Sequence, residues 1–424
     1  MSAPDAPAAG PPRHPAAASA GPPGRPGTDG APVGVLGCTG AIGGALARRL
    51  HEAGIGPLRL GGRDLTRVRA VAASLATGPP GPGRGVESVE VDVADADAPA
   101  AFCAGCRVVV NCAGPSARIL DTVARAALAA GAAYVDVAGD LIDRAPLHAL
   151  AGDGAGDGVV VLGAGMMPGL SALLPRYLAA GAGRVERLVA YVGGLDPFTP
   201  AAARDYVASL AGGHGTPLAA WRRDGPVRGA LRPARGVRVA GWPGRVSVYP
   251  YLAAETERLA RTLGIAEVDW WTVFDGDRTL DALARAGEAE PDRTAETLVR
   301  ASRLDAFGRE PYFQMVFELT GDGGGRTLVA RTGRSHELSA AVAAAATAAV
   351  LRGQVPAGVH EAGDVLSPQE VFRRLDDDPA LTRLAVEPMI RAAGGAAPGH
   401  AGGAPARPHR RGDEADTLVE EGTL

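Results

Sequence analysis

Short apolar runs alternate with amphipathic ones through the first third of the chain. Val33-Gly34-Val35-Leu36 is strand-like, and the glycine-rich Gly37-Cys38-Thr39-Gly40-Ala41-Ile42-Gly43 leads from it into an amphipathic helical run ending near Leu50. Residues 57–60 read as a second strand and residues 65–75 as a helix. Residues 86–93 alternate as a third strand, and residues 95–102 form a short helical crossover. Residues 107–112 are apolar enough for a strand buried on both faces. A helix over 121–130 stops at Gly131, and strands follow at 133–137 and 159–162. Strand and helix in alternation predict an α/β unit, a doubly wound parallel sheet of Rossmann type.

The pattern changes after Leu170. Helices are expected over 171–180 and 205–210, and strands over 187–193, 246–251, 268–274, 311–320 and 326–332. This reads as a second α+β domain with a mostly antiparallel sheet. Residues 338–351 form a helix of very small side chains, stopped by Gly353 and Pro356, which should pack back on the first domain. A last helical segment is expected over 364–375. The expected organisation is a disordered arm over 1–31, a dinucleotide-binding domain over 32–165 completed by 336–375, a substrate and dimerisation domain over 166–335, and a disordered tail over 392–424.

The glycine turn carries the first chemistry. Gly37 lets the chain leave the strand sharply, Gly40 lets a pyrophosphate approach the backbone, and Gly43 lets the helix sit close. Thr39 adds a hydroxyl, and the amides of Ala41, Ile42 and Gly43 at the helix N-terminus favour anionic phosphate. After the second strand come Arg63 and Asp64. Arg63 suits the 2′-phosphate of NADP, and Asp64 either meets a ribose hydroxyl, as with NAD, or caps the next helix. Asp92 and Val93 end the third strand, beside the adenine. Asn111, Ala113, Gly114 and Pro115 follow the fourth, over the pyrophosphate and nicotinamide ribose.

Composition narrows the mechanisms. All 43 basic residues are arginine, so lysine-dependent chemistry is excluded, including a Tyr-x-x-x-Lys dehydrogenase pair and a Schiff base. A net charge of −4 gives no reason to expect nucleic-acid binding. No apolar run is long enough to span a bilayer, no signal peptide is legible, and four cysteines suit a reduced cytoplasmic protein. Cys103-Ala104-Gly105-Cys106 closes a helix before a strand, the reverse of a redox motif, and no zinc partner accompanies it.

Four motifs in order resemble the saccharopine dehydrogenase (reductase) family: Gly37-Cys38-Thr39-Gly40-Ala41-Ile42-Gly43, Val110-Asn111-Cys112-Ala113-Gly114-Pro115, Gly131-Ala132-Ala133-Tyr134-Val135-Asp136 and Gly165-Met166-Met167-Pro168-Gly169-Leu170. The likeness covers residues 33–175 well and residues 326–372 in part. It implies an NADP-dependent enzyme (NAD being the alternative) that makes or breaks a C–N bond by imine reduction or amine oxidation. It also implies that Pro168 and Gly169 mark the crossing into the substrate domain beside the nicotinamide. Met166-Met167 departs from the polar or aromatic residues of relatives.

Reducing an imine needs a hydride and a proton, and a protonated iminium needs only a weak acid. The candidate acid–base residues are His336, before the small-residue helix; His214, in Gly212-Gly213-His214-Gly215; and Asp140, at the carboxyl end of the fifth strand, where it either meets ligand or caps a helix before Leu141. Met167, Pro168 and Gly169, with Tyr249 and Tyr251, are the candidate substrate-side residues. Arg331 and Arg334 either clamp a carboxylate or lie at the surface. The resulting expectation is a cytoplasmic homodimer acting on an amino-acid-derived small molecule. The alternatives are an enoyl (C=C) reductase with the same cofactor and a non-catalytic NADP-binding sensor or scaffold.

Overall fold

The structure is a computed structural model that describes residues 30–76, 85–152, 157–211 and 215–389. The expectations for His214, for most of the arm and for the tail fall outside the described residues. The first sheet holds β1 (Val33–Leu36), β2 (Leu58–Gly62), β3 (Val86–Glu90), β4 (Val108–Asn111), β5 (Ala133–Asp136) and β6 (Val159–Leu162). A later strand, Gly358–Glu361, pairs with β6. The order from that strand is β6-β5-β4-β1-β2-β3, all parallel. Every residue of β1 and β4 is buried, as continuous apolar runs covered on both faces should be.

Strand order reverses between β1 and β4, so a crevice opens at their carboxyl ends, where open α/β sheets take ligands. Helix α1 (Ala41–Glu52) runs from that edge, and the small-residue helix Ser335–Leu351 packs against α1, β4 and β5. Ala340, Ala343 and Ala346 are fully buried there, because methyl side chains let the two backbones approach closely.

The second sheet is mostly antiparallel, as expected, with one parallel pair between Val185–Leu195 and Glu267–Phe274. All four tryptophans lie in this domain and are buried, so its aromatic weight is core. Three helices there, Ala254–Leu263, Asp277–Ala284 and Pro291–Ala306, had no place in the sequence reading. The chain also returns to this sheet: strand Leu381–Pro388 pairs with Gly324–Thr332, beyond the expected domain limit. The third strand is shorter than expected and ends at Glu90, because residues 91–97 turn. No helix among the described residues is long and apolar enough to cross a membrane.

Candidate functional site

The glycine turn is built around missing Cβ atoms. Gly37 has φ +79°, and a Cβ there would lie 2.5 Å from the Ala113 nitrogen. A Cβ on Gly43 would lie 2.3 Å from the Gly37 carbonyl oxygen. Gly43 thus spares the turn itself, rather than spacing the helix from the sheet. Gly40 differs: its amide donates to Gly37 O at 3.0 Å, and its open side meets only that oxygen, at 3.3 Å. It is exposed, as a glycine approached by ligand should be. The amides of Ala41, Ile42 and Gly43 lie in the first turn of α1, where no intrahelical acceptor exists. This cradle fits a pyrophosphate.

At the far end of the cradle, Asp64 is the cap of helix α2 (Leu65–Leu75), accepting from the Arg67 amide at 3.1 Å. Arg63 is exposed beside it. The Arg67 guanidinium reaches back to the Thr39 carbonyl at 3.4 Å. The Arg67 guanidinium therefore flanks the glycine turn, with Arg63 exposed at the end of β2, while Asp64 is engaged in capping, an arrangement suited to a 2′-phosphate. Asp92 is exposed and accepts from the Ala94 amide at 3.0 Å, and Val93 is half-buried against the core.

Under the neighbouring turn lies a buried polar network. Asn111 donates to Asp136 Oδ2 at 3.0 Å and accepts from the Ala113 amide at 3.1 Å. Tyr134 Oη donates to the same Asp136 oxygen, and the Ala138 amide donates to Oδ1 at 2.8 Å. Burial pushes the Asp136 carboxyl above its ordinary range against these donors. The Asn111 side chain thus shapes the turn. Gly114 and Pro115 lie at the rim, where a Cβ on Gly114 would meet Ala201 at 3.1 Å and Asp205 at 3.9 Å. Asp205, on helix Pro200–Ala211, accepts from the Ala117 amide at 3.0 Å and is raised by burial. The helix Pro200–Ala211 of the second domain therefore contacts the Gly114 turn directly.

Asp140 is exposed and does not cap the next helix; Asp143 does, accepting from the Ala145 amide at 3.1 Å. Its charge instead acts on Asp205 and Tyr251. Tyr251 and Tyr249 share a face of strand Arg245–Ala253, Tyr249 exposed and Tyr251 half-buried with its hydroxyl 3.5 Å from Ser209 O. His336 is half-buried at the start of the small-residue helix, beside Asp196, whose carboxyl is raised by burial and stabilised by the Ser335 hydroxyl and by His336. On that helix Ser339 accepts from the Met166 amide at 3.3 Å, so its first turns meet the residue 165–169 segment. Met167 is 44% exposed there.

Asp140, Tyr249, Tyr251, Gly114 and Asp205 are thus gathered on one part of the carboxyl edge, and His336, Asp196 and residues 166–169 on another. Arg331 lies over the Tyr312 ring and Arg334 bonds Pro379 O, so both are structural. Cys103 and Cys106 are buried thiols that burial holds protonated. Sequence reading placed Glu255 beside Tyr249 and Tyr251 as a pocket residue, and missed Arg67, Asp196 and Asp205. Arg67 follows Arg63 by four positions, which was a usable signal. The other two depend on contacts between distant segments.

A glycine cradle at the reversal point of a parallel sheet, faced by a second sheet domain, defines a two-domain dinucleotide-binding protein. Residues 33–148 match the saccharopine dehydrogenase NADP binding domain family. The chain carries a saccharopine dehydrogenase-like NAD(P)-binding domain. Its structure is similar to the apo histidine-tagged saccharopine dehydrogenase (L-Glu forming) from Saccharomyces cerevisiae, with a TM-score of 0.56 and 14% identity over 84% of this chain and 99% of that one. That likeness shows the fold. A probable dehydrogenase from Thermotoga maritima aligns with 80% of this chain and 93% of its own, at 12% identity and a TM-score of 0.43. The search of curated proteins finds no match.

Proposed function

We propose that this protein reduces a C=N bond of an amino-acid-derived substrate with NADPH, as a cytoplasmic homodimer. The observation that carries this reading is the glycine cradle flanked by Arg67, with Arg63 exposed nearby and the second domain docked at Gly114 on its other end. Bound NADPH would supply a hydride. The amides after Gly40 would hold the pyrophosphate, and Arg63 and Arg67 the 2′-phosphate. His336, with Asp196 beside it, would hold the proton for the substrate nitrogen. Packing of the second domain on the cradle would keep water from the reacting carbon.

The test is NADPH consumption against panels of imines and of enoyl compounds. Turnover of imines alone supports the reading. Turnover of enoyl compounds alone replaces it with C=C reduction, and tight NADPH binding without any turnover replaces it with a sensor or scaffold. Sedimentation of the purified chain tests the dimer.

A coenzyme prediction follows. Arg63→Ala is expected to weaken NADPH binding about tenfold, and the Arg63→Ala/Arg67→Ala pair by a further factor, with NADH little changed, because each guanidinium contributes a charge-assisted bond. Fluorescence titration with both coenzymes reads this out. Equal losses for NADH and NADPH would remove the 2′-phosphate assignment.

A further inference from the structure

The segment carrying Met167 and Pro168 folds back on the helix that follows it. Leu170 N donates to Gly165 O and Ser171 N to Met166 O, both at 3.0 Å. Gly169, at φ +121°, is so tightly seated that a Cβ would lie 2.2 Å from Gly163 O. Glycine has no side chain to cap helix Leu170–Ala179. The capping group comes from the second domain instead: Glu255, in the first turn of Ala254–Leu263, accepts from the Gly169 amide at 2.7 Å and from the Ser171 hydroxyl.

We propose that Glu255 is a positioning residue that fixes residues 166–169 against the second domain, so that Met167 and Pro168 hold one wall of the substrate site. This rests on the reading that residues 166–169 border the nicotinamide. The surroundings of the carboxyl are built of ions. Arg258 lies on its own helix. Glu361, on strand Gly358–Glu361, is bonded by Arg144 and lies 3.3 Å from Arg258. Arg176, on Leu170–Ala179, pairs with Asp364. The cavity among these groups has a volume of about 10 Å³, too small for an organic ligand, so the carboxyl serves the loop rather than a bound molecule.

Burial pushes Glu255 from 4.5 up to about 7, against the bonds from Ser171 and Gly169. Its proton is held more tightly folded than unfolded. Its stabilising contribution is therefore full below 4.5 and is lost as pH rises through about 7. Burial favours the neutral carboxyl, so loop order and turnover should fall with stability as pH rises through about 7.

The experiment compares the full-length wild type with Glu255→Gln and Glu255→Ala. Hydrogen exchange of the peptide spanning residues 165–175 should be about tenfold faster in Glu255→Ala and near wild type in Glu255→Gln, since the amide still reaches both partners. With a turned-over imine, kcat should fall about tenfold in Glu255→Ala while the KM for NADPH holds. The wild-type limb near neutral pH should vanish in Glu255→Gln, along with that variant's share of the fall in melting temperature. Unchanged exchange at 165–175 in Glu255→Ala overturns the proposal, as does an unchanged pH limb in Glu255→Gln. If no imine is turned over, the proposed reaction fails, while the exchange and melting measurements still decide the role of Glu255.

Discussion

Gly43→Ala should reduce NADPH affinity roughly a hundredfold, the equivalent of one or two charge-assisted hydrogen bonds. The added methyl would lie 2.3 Å from the Gly37 carbonyl oxygen and 2.9 Å from the Cys38 Cα, so the turn must move and carry its amides away from the phosphates. The same overpacking should lower folding stability by about 1–3 kcal/mol. Gly40→Ala provides the contrast. Its methyl meets only Gly37 O, at 3.3 Å, and its other side is open. That variant should keep the wild-type melting temperature while still losing NADPH. Titration of coenzyme fluorescence beside thermal unfolding separates the two effects. Wild-type affinity in Gly43→Ala would mean that the cradle is not where the nucleotide sits.

Asp136→Ala should destabilise the first domain by about 3–5 kcal/mol, enough to threaten folding at physiological temperature. Three donors converge on this carboxylate: Tyr134 Oη, Asn111 Nδ2 and the Ala138 amide. Removing it strands all three in the sheet interior, and Asn111 then no longer holds the Ala113 turn in place. Asp136→Asn retains an acceptor for one donor side and should cost markedly less. Urea unfolding followed by circular dichroism checks both. A loss below about 1 kcal/mol in Asp136→Ala would show that the network is dispensable.

The difference between these sites explains how legible the protein was. Gly37, Gly40 and Gly43 announce themselves because a phosphate turn demands absent side chains at set spacing beside a strand and a helix. Asp64 could be read as a cap, since capping is a contact over three residues. Asn111 was placed in the right turn, but its bond to Asp136 was not legible, because it spans 25 residues and two strands. Asp140 was a fair cap by position; the cap proved to be Asp143, three residues on, where the loop ends. Strand Leu381–Pro388 has a half-exposed, charge-bearing pattern with no strong alternation, and only its pairing with Gly324–Thr332 makes it part of a sheet.

Local order needs only neighbours in the chain, so the parallel first sheet, its phosphate turn and the small-residue helix could all be inferred from residue pattern. The contacts behind the proposed substrate wall belong to a different scale. Glu255 beneath Gly169, Asp205 beside Gly114 and Asp196 against His336 join segments 86, 91 and 140 positions apart. A carboxylate's task depends on which donors surround it, and no periodicity along a chain encodes donors that arrive from another domain.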